Sequence, residues 1–137
     1  MTLKISEEAA RVMQRDAETA YPNECCGFFY GQEVGDRFVQ EAVPVQNNQE
    51  GDQRRRFEIS PLDYMKAERY ATEKGIDLLG VYHSHPDHPA RPSEHDLKQA
   101  VPYFSYIIYS IQQGKMTRVT SWRLKEEEKA FEEEEIG

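Results

Sequence analysis

The apolar run within residues 76–83 constrains the fold of this chain more than any other feature. Leu78, Leu79, Gly80 and Val81 follow one another and leave no polar face. Such a run is typical of a strand that is buried on both faces of a sheet. The run leads directly into His83-Ser84-His85-Pro86, and all four histidines of the chain lie between positions 83 and 95. The sequence therefore predicts a buried strand whose end carries polar residues that can bind a ligand or take part in catalysis.

Capping and turn signals place the other elements around this strand. Ser6 is a candidate N-cap for a first helix, and Ser60-Pro61 with Gly75 frames a second. The predicted helices are 6–21, 60–74 and 93–101, and the predicted strands are 26–31, 37–45, 76–83, 104–111 and 116–124. The order α-ββ-α-β-α-ββ predicts an α/β fold in which one mixed sheet is flanked by helices.

Length and charge bound the possible functions. The 137 residues fit one domain, and the net charge of −8 argues against a nucleic-acid footprint. Residues 125–137 carry a net charge of −5, so we divide the chain into a domain at 1–124 and an acidic tail at 125–137. The tail is expected to be either a short strand or disordered.

Location is inferred from what the sequence does not contain. It has no stretch long and apolar enough for a membrane span, and residues 1–8 lack the layout of a signal peptide. Its two cysteines, Cys25 and Cys26, are adjacent, which does not suit a disulfide scaffold. We therefore expect a cytoplasmic protein with no membrane partner.

The spacing of four polar residues predicts a metal site. His83 and His85 are two apart at the end of a strand, so they point the same way. Ser93 and Asp96 are three apart at a helix start, so they share a helical face. Two imidazoles, a carboxylate and an open fourth position are typical of catalytic zinc. Two simpler interpretations stay open, namely clustered surface histidines and a Ser93 that only caps its helix. His88 and His95 lie off the pattern and are expected at the surface.

Two other zinc patterns do not fit. Base deaminases combine His-x-Glu with Pro-Cys-x-x-Cys, whereas this chain has His83-Ser84-His85 and the adjacent pair Cys25-Cys26. A helical His-Glu-x-x-His is also absent from the sequence.

The string His83-Ser84-His85-Pro86, with seven residues between His85 and the later Ser93-x-x-Asp96, resembles the JAMM motif of MPN-domain metalloproteases. The segment 21–31, which contains Glu24-Cys25-Cys26-Gly27, resembles the family's upstream glutamate region. The likeness covers about residues 3–124 and is strongest to the small stand-alone prokaryotic branch. It implies a single MPN-type domain with a curved, mostly antiparallel sheet.

The resemblance also implies roles. It assigns zinc to His83, His85 and Asp96, the general base to Glu24, and oxyanion support to Ser93. Members of this branch hydrolyse the bond after the C-terminal Gly-Gly of ubiquitin-like sulfur-carrier proteins, which predicts such a partner. The alternatives are a general deubiquitinase-like peptidase and a non-catalytic MPN interaction module that holds zinc.

Three residue groups have simpler interpretations beside the functional ones. Glu24 is a solvated turn residue if the motif is ignored. Cys25 and Cys26 are either core residues or a nucleophilic or redox pair. Arg54-Arg55-Arg56 is either a solvated loop end or a clamp for a carboxylate or an acidic partner.

Overall fold

The computed structural model describes residues 2–125 and 127–137. Met1, where the predicted domain begins, and Glu126, within the predicted tail, lie outside the described residues. The three helices are α1 (Glu7–Ala20), α2 (Pro61–Lys74) and α3 (Glu94–Gln99). The strands are β1 (Thr2–Ile5), β2 (Cys26–Val34), β3 (Asp36–Val45), β4 (Asp77–Pro86), β5 (Ser105–Gln112), β6 (Lys115–Lys125) and β7 (Ala130–Ile136).

The predicted capping signals are confirmed. The Ser6 side chain accepts from the backbone N–H of Ala9 at 3.1 Å, and Ser60 caps α2 in the same way. Gly75 ends α2 with a φ of 68°, a left-handed conformation that glycine adopts without strain. Both long helices therefore begin at a serine cap, and α2 also ends at the predicted glycine.

The sheet is mixed and closes into a barrel in the order β1-β3-β2-β4-β5-β6-β7. Four of the strand pairs are antiparallel, and three are parallel: β1 with β3, β1 with β7, and β4 with β5. β4 is buried from Leu79 onward, as predicted, and it runs on to Pro86, three residues past its predicted end. It pairs with β2 through Cys26 opposite His83, which brings the segment before β2 beside the two histidines.

Within the acidic segment, residues Ala130–Ile136 form a strand. β7 pairs with β6 and meets β1 through Leu3 opposite Ile136. β1 itself was missed by the sequence analysis, because its four residues are too few to show a period. These two strands join the sheet into a barrel.

Apolar side chains fill two layers, one on each face of the β2–β4 pair. The first lies beneath α1 and includes Met13, Phe29 and Tyr82. The second lies beneath α2 and includes Phe28 and Val81. The polar residues of the predicted site lie at the end of this second layer.

Candidate functional site

β4 carries both histidines of the predicted site, and both are buried. His83 and His85 alternate with Ser84 along the strand, so their rings share one face, with centroids 5.0 Å apart. The ring of Phe57 stacks on His83 at 4.4 Å. Phe57 follows the polar loop after β3, so a residue remote in sequence fixes the orientation of this imidazole.

Asp96 meets the histidines from the first turn of α3. Its Oδ2 lies 3.1 Å from Nε2 of His85 and 3.8 Å from Nε2 of His83. Burial raises the pKa of Asp96, but the charge of His83 and hydrogen bonds from His85 and Ser93 outweigh it and hold the pKa well below its usual range. Asp96 is therefore an ionised carboxylate between two imidazoles.

His85 faces hydrogen-bond acceptors with both of its ring nitrogens. Nδ1 lies 2.9 Å from the carbonyl oxygen of Pro89, and Nε2 faces Asp96. Although burial lowers the pKa of His85, the hydrogen bond with Asp96 and its charge raise it overall. The protonated ring donates to both acceptors, whereas a neutral imidazole has one proton and can satisfy only one of them. A cation between Nε2 and Asp96 would complete the other contact, with Nδ1–H donating to Pro89.

Glu24 lies on the other side of His83. Its Oε1 is 3.7 Å from Nδ1 of His83, and the residue is only 4% exposed. This excludes the solvated-turn interpretation. Both ring nitrogens of His83 and Oε1 of Glu24 are buried without a hydrogen-bond partner among the described residues. Since buried polar atoms are rarely left unpaired, these atoms suit a ligand.

Two overlapping sets of residues could hold a metal ion. Single ligand atoms of Glu24, His83 and His85 lie within 4.8 Å of one another. The predicted set replaces Glu24 by Asp96, whose Oδ2 approaches both imidazoles. The donor chemistry of either set, two nitrogens and a carboxylate, fits zinc.

Ser93 caps α3. Its Oγ accepts from the backbone N–H of Asp96 at 3.1 Å, and Asp96 Oδ2 accepts from the backbone N–H of Ser93 at 2.8 Å. The cap uses a lone pair of the hydroxyl and leaves its proton available as a donor. The capping interpretation and the predicted catalytic one are therefore compatible.

A pocket of about 490 Å³ opens over these residues and includes groups that the sequence analysis did not assign. Glu24, His85 and Ser93 line it together with Arg55, His88 and Arg91. His88 is exposed, as expected, whereas His95 is half-buried with Nε2 3.3 Å from the carbonyl oxygen of Phe57. The arginine run at residues 54–56 is conspicuous in the sequence, but sequence spacing alone does not predict that Arg55 lines this pocket.

The cysteines are core residues. Both are buried and free, and they pack on opposite faces of the sheet. Burial raises the pKa of Cys25 well above its usual range and that of Cys26 to about 12. Thiols held protonated in this way are poor nucleophiles, which argues against the nucleophilic or redox interpretation.

Comparison with known proteins identifies relatives of this chain. The profile of prokaryotic homologs of the JAB domain matches residues 6–125. A Thermus thermophilus protein named as a probable TtuB-protein conjugate cleaving protease is 32% identical over 103 residues, which are 75% of this chain and 64% of that protein. A Haloferax volcanii desampylase is 34% identical over 70% of this chain and 68% of its own length. The chain thus spans about two-thirds of these relatives.

A solved structure has a similar fold over nearly the whole chain. The solution structure of a Desulfitobacterium hafniense protein superposes with a TM-score of 0.85 at 32% identity, covering 99% of this chain and 92% of that one. The predicted MPN-type fold class is confirmed. Among the described residues, the helices are too short or too polar to cross a membrane.

Proposed function

Since the chain belongs to the family of prokaryotic JAB-domain homologs, we propose that it is a zinc-dependent peptidase or isopeptidase. Its substrate is a ubiquitin-like sulfur-carrier protein, and it hydrolyses the amide bond after the C-terminal Gly-Gly. The observation that carries the proposal is the buried group of His83, His85 and Asp96 beside Glu24, in which three polar atoms have no hydrogen-bond partner among the described residues. The names of the Thermus and Haloferax relatives support cleavage of protein conjugates.

In this proposal His83, His85 and Asp96 hold the zinc. Asp96 is preferred to Glu24 as the third ligand because its Oδ2 approaches both imidazoles, and because a hydrogen bond from the backbone N–H of Ser93 holds that oxygen in place. When bound, zinc lowers the pKa of water from about 16 to about 7 and polarises a carbonyl.

Glu24 acts as the general base and then as the acid. Its carboxylate accepts a proton from the attacking water and passes it to the leaving nitrogen. Burial at 4% exposure keeps competing water away from this carboxylate. The Ser93 hydroxyl donates to the carbonyl oxygen as it becomes negative, while its lone pair continues to cap α3.

The test is hydrolysis of a carrier that bears one added residue after Gly-Gly, followed by mass spectrometry. Loss of the added residue that a chelator stops and zinc restores is the expected result. Glu24→Gln serves as the matched control, because it removes the base and keeps the side-chain volume. Cleavage of unrelated short peptides with no cleavage of any Gly-Gly carrier would contradict the substrate class. Equally fast cleavage of ubiquitin conjugates would favour a general deubiquitinase.

A further inference from the structure

The pocket over Glu24 is basic at its mouth, although the chain carries a net charge of −8. Arg55 and Arg91 line it from two different segments, the loop before α2 and the loop between β4 and α3. Both side chains are exposed. Two guanidinium groups beside one pocket are typical of a carboxylate or phosphate site.

Hydrogen bonds hold the arginine-bearing loop against Glu24. The backbone N–H of Glu24 donates to the carbonyl oxygen of Gln53 at 2.7 Å. Asn47 bridges the two segments, since its Nδ2 donates to the carbonyl oxygens of Glu24 at 3.2 Å and Arg56 at 3.1 Å. The position of Arg55 is therefore tied to that of the general base.

Both guanidinium groups are available to a ligand. Arg55 makes a contact of 3.8 Å from Nε to Asp52, with side chains 79% and 57% exposed, and such surface pairs are weak. Over residues 2–125 and 127–137, Arg91 has no carboxylate within 4.0 Å. Arg54 does not line the pocket and instead acts electrostatically on Tyr21.

We propose that Arg55 and Arg91 form a subsite for the free α-carboxylate of the residue immediately after the scissile bond. The inference rests on the proposed function, in which Glu24 delivers a proton to the leaving nitrogen. The side of the pocket next to Glu24 is therefore the leaving-group side, and the α-carboxylate of a terminal residue is two bonds from that nitrogen. A lysine joined through its side chain presents no such group there.

The preferred reaction is thus removal of one C-terminal residue. Water adds across the amide, the C–N bond breaks, and the products are a carrier ending in a Gly-Gly carboxylate and a free amino acid. The subsite makes a linear extension a better substrate than an isopeptide conjugate.

Two substrates that differ in one group test the subsite. The first is a carrier ending in Gly-Gly-Ala with a free carboxylate, and the second is the same carrier with a C-terminal amide. The wild-type enzyme should show a kcat/KM about tenfold higher for the carboxylate, since a charged hydrogen-bonded contact has roughly that effect. In Arg55→Gln and Arg91→Gln this ratio should fall toward one. Arg54→Gln is the matched control and should keep the wild-type ratio.

The possible results separate the two proposals. Equal cleavage of the carboxylate and the amide by the wild-type enzyme would overturn the subsite and leave the proposed function intact. An unchanged ratio in Arg55→Gln and Arg91→Gln would also overturn it. Cleavage of neither substrate would overturn the proposed function and the subsite with it.

Discussion

The polar groups on the two faces of β4 differ in whether they have hydrogen-bond partners. Tyr82 and Ser84 point toward α1, and each has its partner: the Tyr82 hydroxyl donates to Asp16 at 2.8 Å, and the backbone N–H of Cys25 donates to Ser84 at 2.8 Å. His83, one residue away on the other face, has both ring nitrogens buried and unpaired among the described residues. The same strand thus holds a closed network on one face and an incomplete one on the other.

This difference separates structural polar groups from functional ones. Burying a polar group is costly unless it is hydrogen-bonded, so a core network is selected to be complete. Atoms left without partners destabilise the fold unless a ligand satisfies them. Asp16 illustrates the structural case, because burial raises the pKa of its carboxyl group while the hydrogen bond with Tyr82 opposes that shift. Substitutions on the incomplete face should therefore reduce zinc binding or activity, whereas substitutions on the complete face should reduce stability.

The largest effect is expected for a ligand on the incomplete face. His85→Ala should reduce zinc from one per chain to a small fraction, because one of three ligands is lost. Tyr82→Phe, on the other face, should keep the wild-type zinc content. Metal analysis of the purified proteins measures both. Asp96→Asn and Glu24→Gln distinguish the two ligand sets: zinc lost only in Glu24→Gln would show that Glu24, rather than Asp96, is the third ligand.

Removing the general base should lower activity nearly as much as removing a metal ligand, but it should leave the zinc content unchanged. Glu24→Gln is expected to fold, keep its zinc and lose about a hundredfold or more in kcat, since general-base catalysis typically contributes that much. Steady-state kinetics on a Gly-Gly-extended carrier, beside zinc analysis, provide the measurement. Near wild-type turnover in this variant would remove Glu24 from the mechanism.

Ser93 should show both a catalytic and a structural effect. Ser93→Ala is expected to lower kcat by about a hundredfold with little change in KM, as an oxyanion donor acts in the transition state. It should also lose about 1 kcal/mol of stability, because α3 loses its cap. Thermal melting beside kinetics separates the two, and a stability loss with unchanged kcat would leave Ser93 as a cap alone.

The smallest effect is expected on the complete face. Tyr82→Phe removes the hydrogen bond to Asp16 and should lower the free energy of unfolding by about 1 kcal/mol, with kcat unchanged. Urea denaturation of the wild-type protein and the variant measures this. A large loss of activity at wild-type stability would contradict the division between the two faces.

Local signals were sufficient for much of this fold. Ser6, Ser60 and Gly75 specify helix ends through contacts within a few residues, so they could be read directly from the sequence. The two histidines could be placed on one face because strand alternation is local. Glu24 was different, since only the resemblance linked it to the histidines, and the pairing of Cys26 with His83 is what brings it near them.

The parts that could not be predicted depend on long-range contacts. Phe57 reaches His83, and Arg55 reaches the pocket, because Asn47 holds the intervening loop. No periodicity encodes that placement. The roles of His83, His85, Asp96, Glu24 and Ser93 remain predictions that the variants above test.

The junction between β1 and β7 has a consequence for how the chain folds. It joins Leu3 to Ile136, positions separated by almost the whole sequence, through a short register of two residue pairs. Bringing together residues so far apart in the sequence costs conformational entropy, and the few hydrogen bonds at this junction offset little of that cost. The junction should therefore form late in folding and open first, and its amide protons should exchange with solvent sooner than those between β2 and β4.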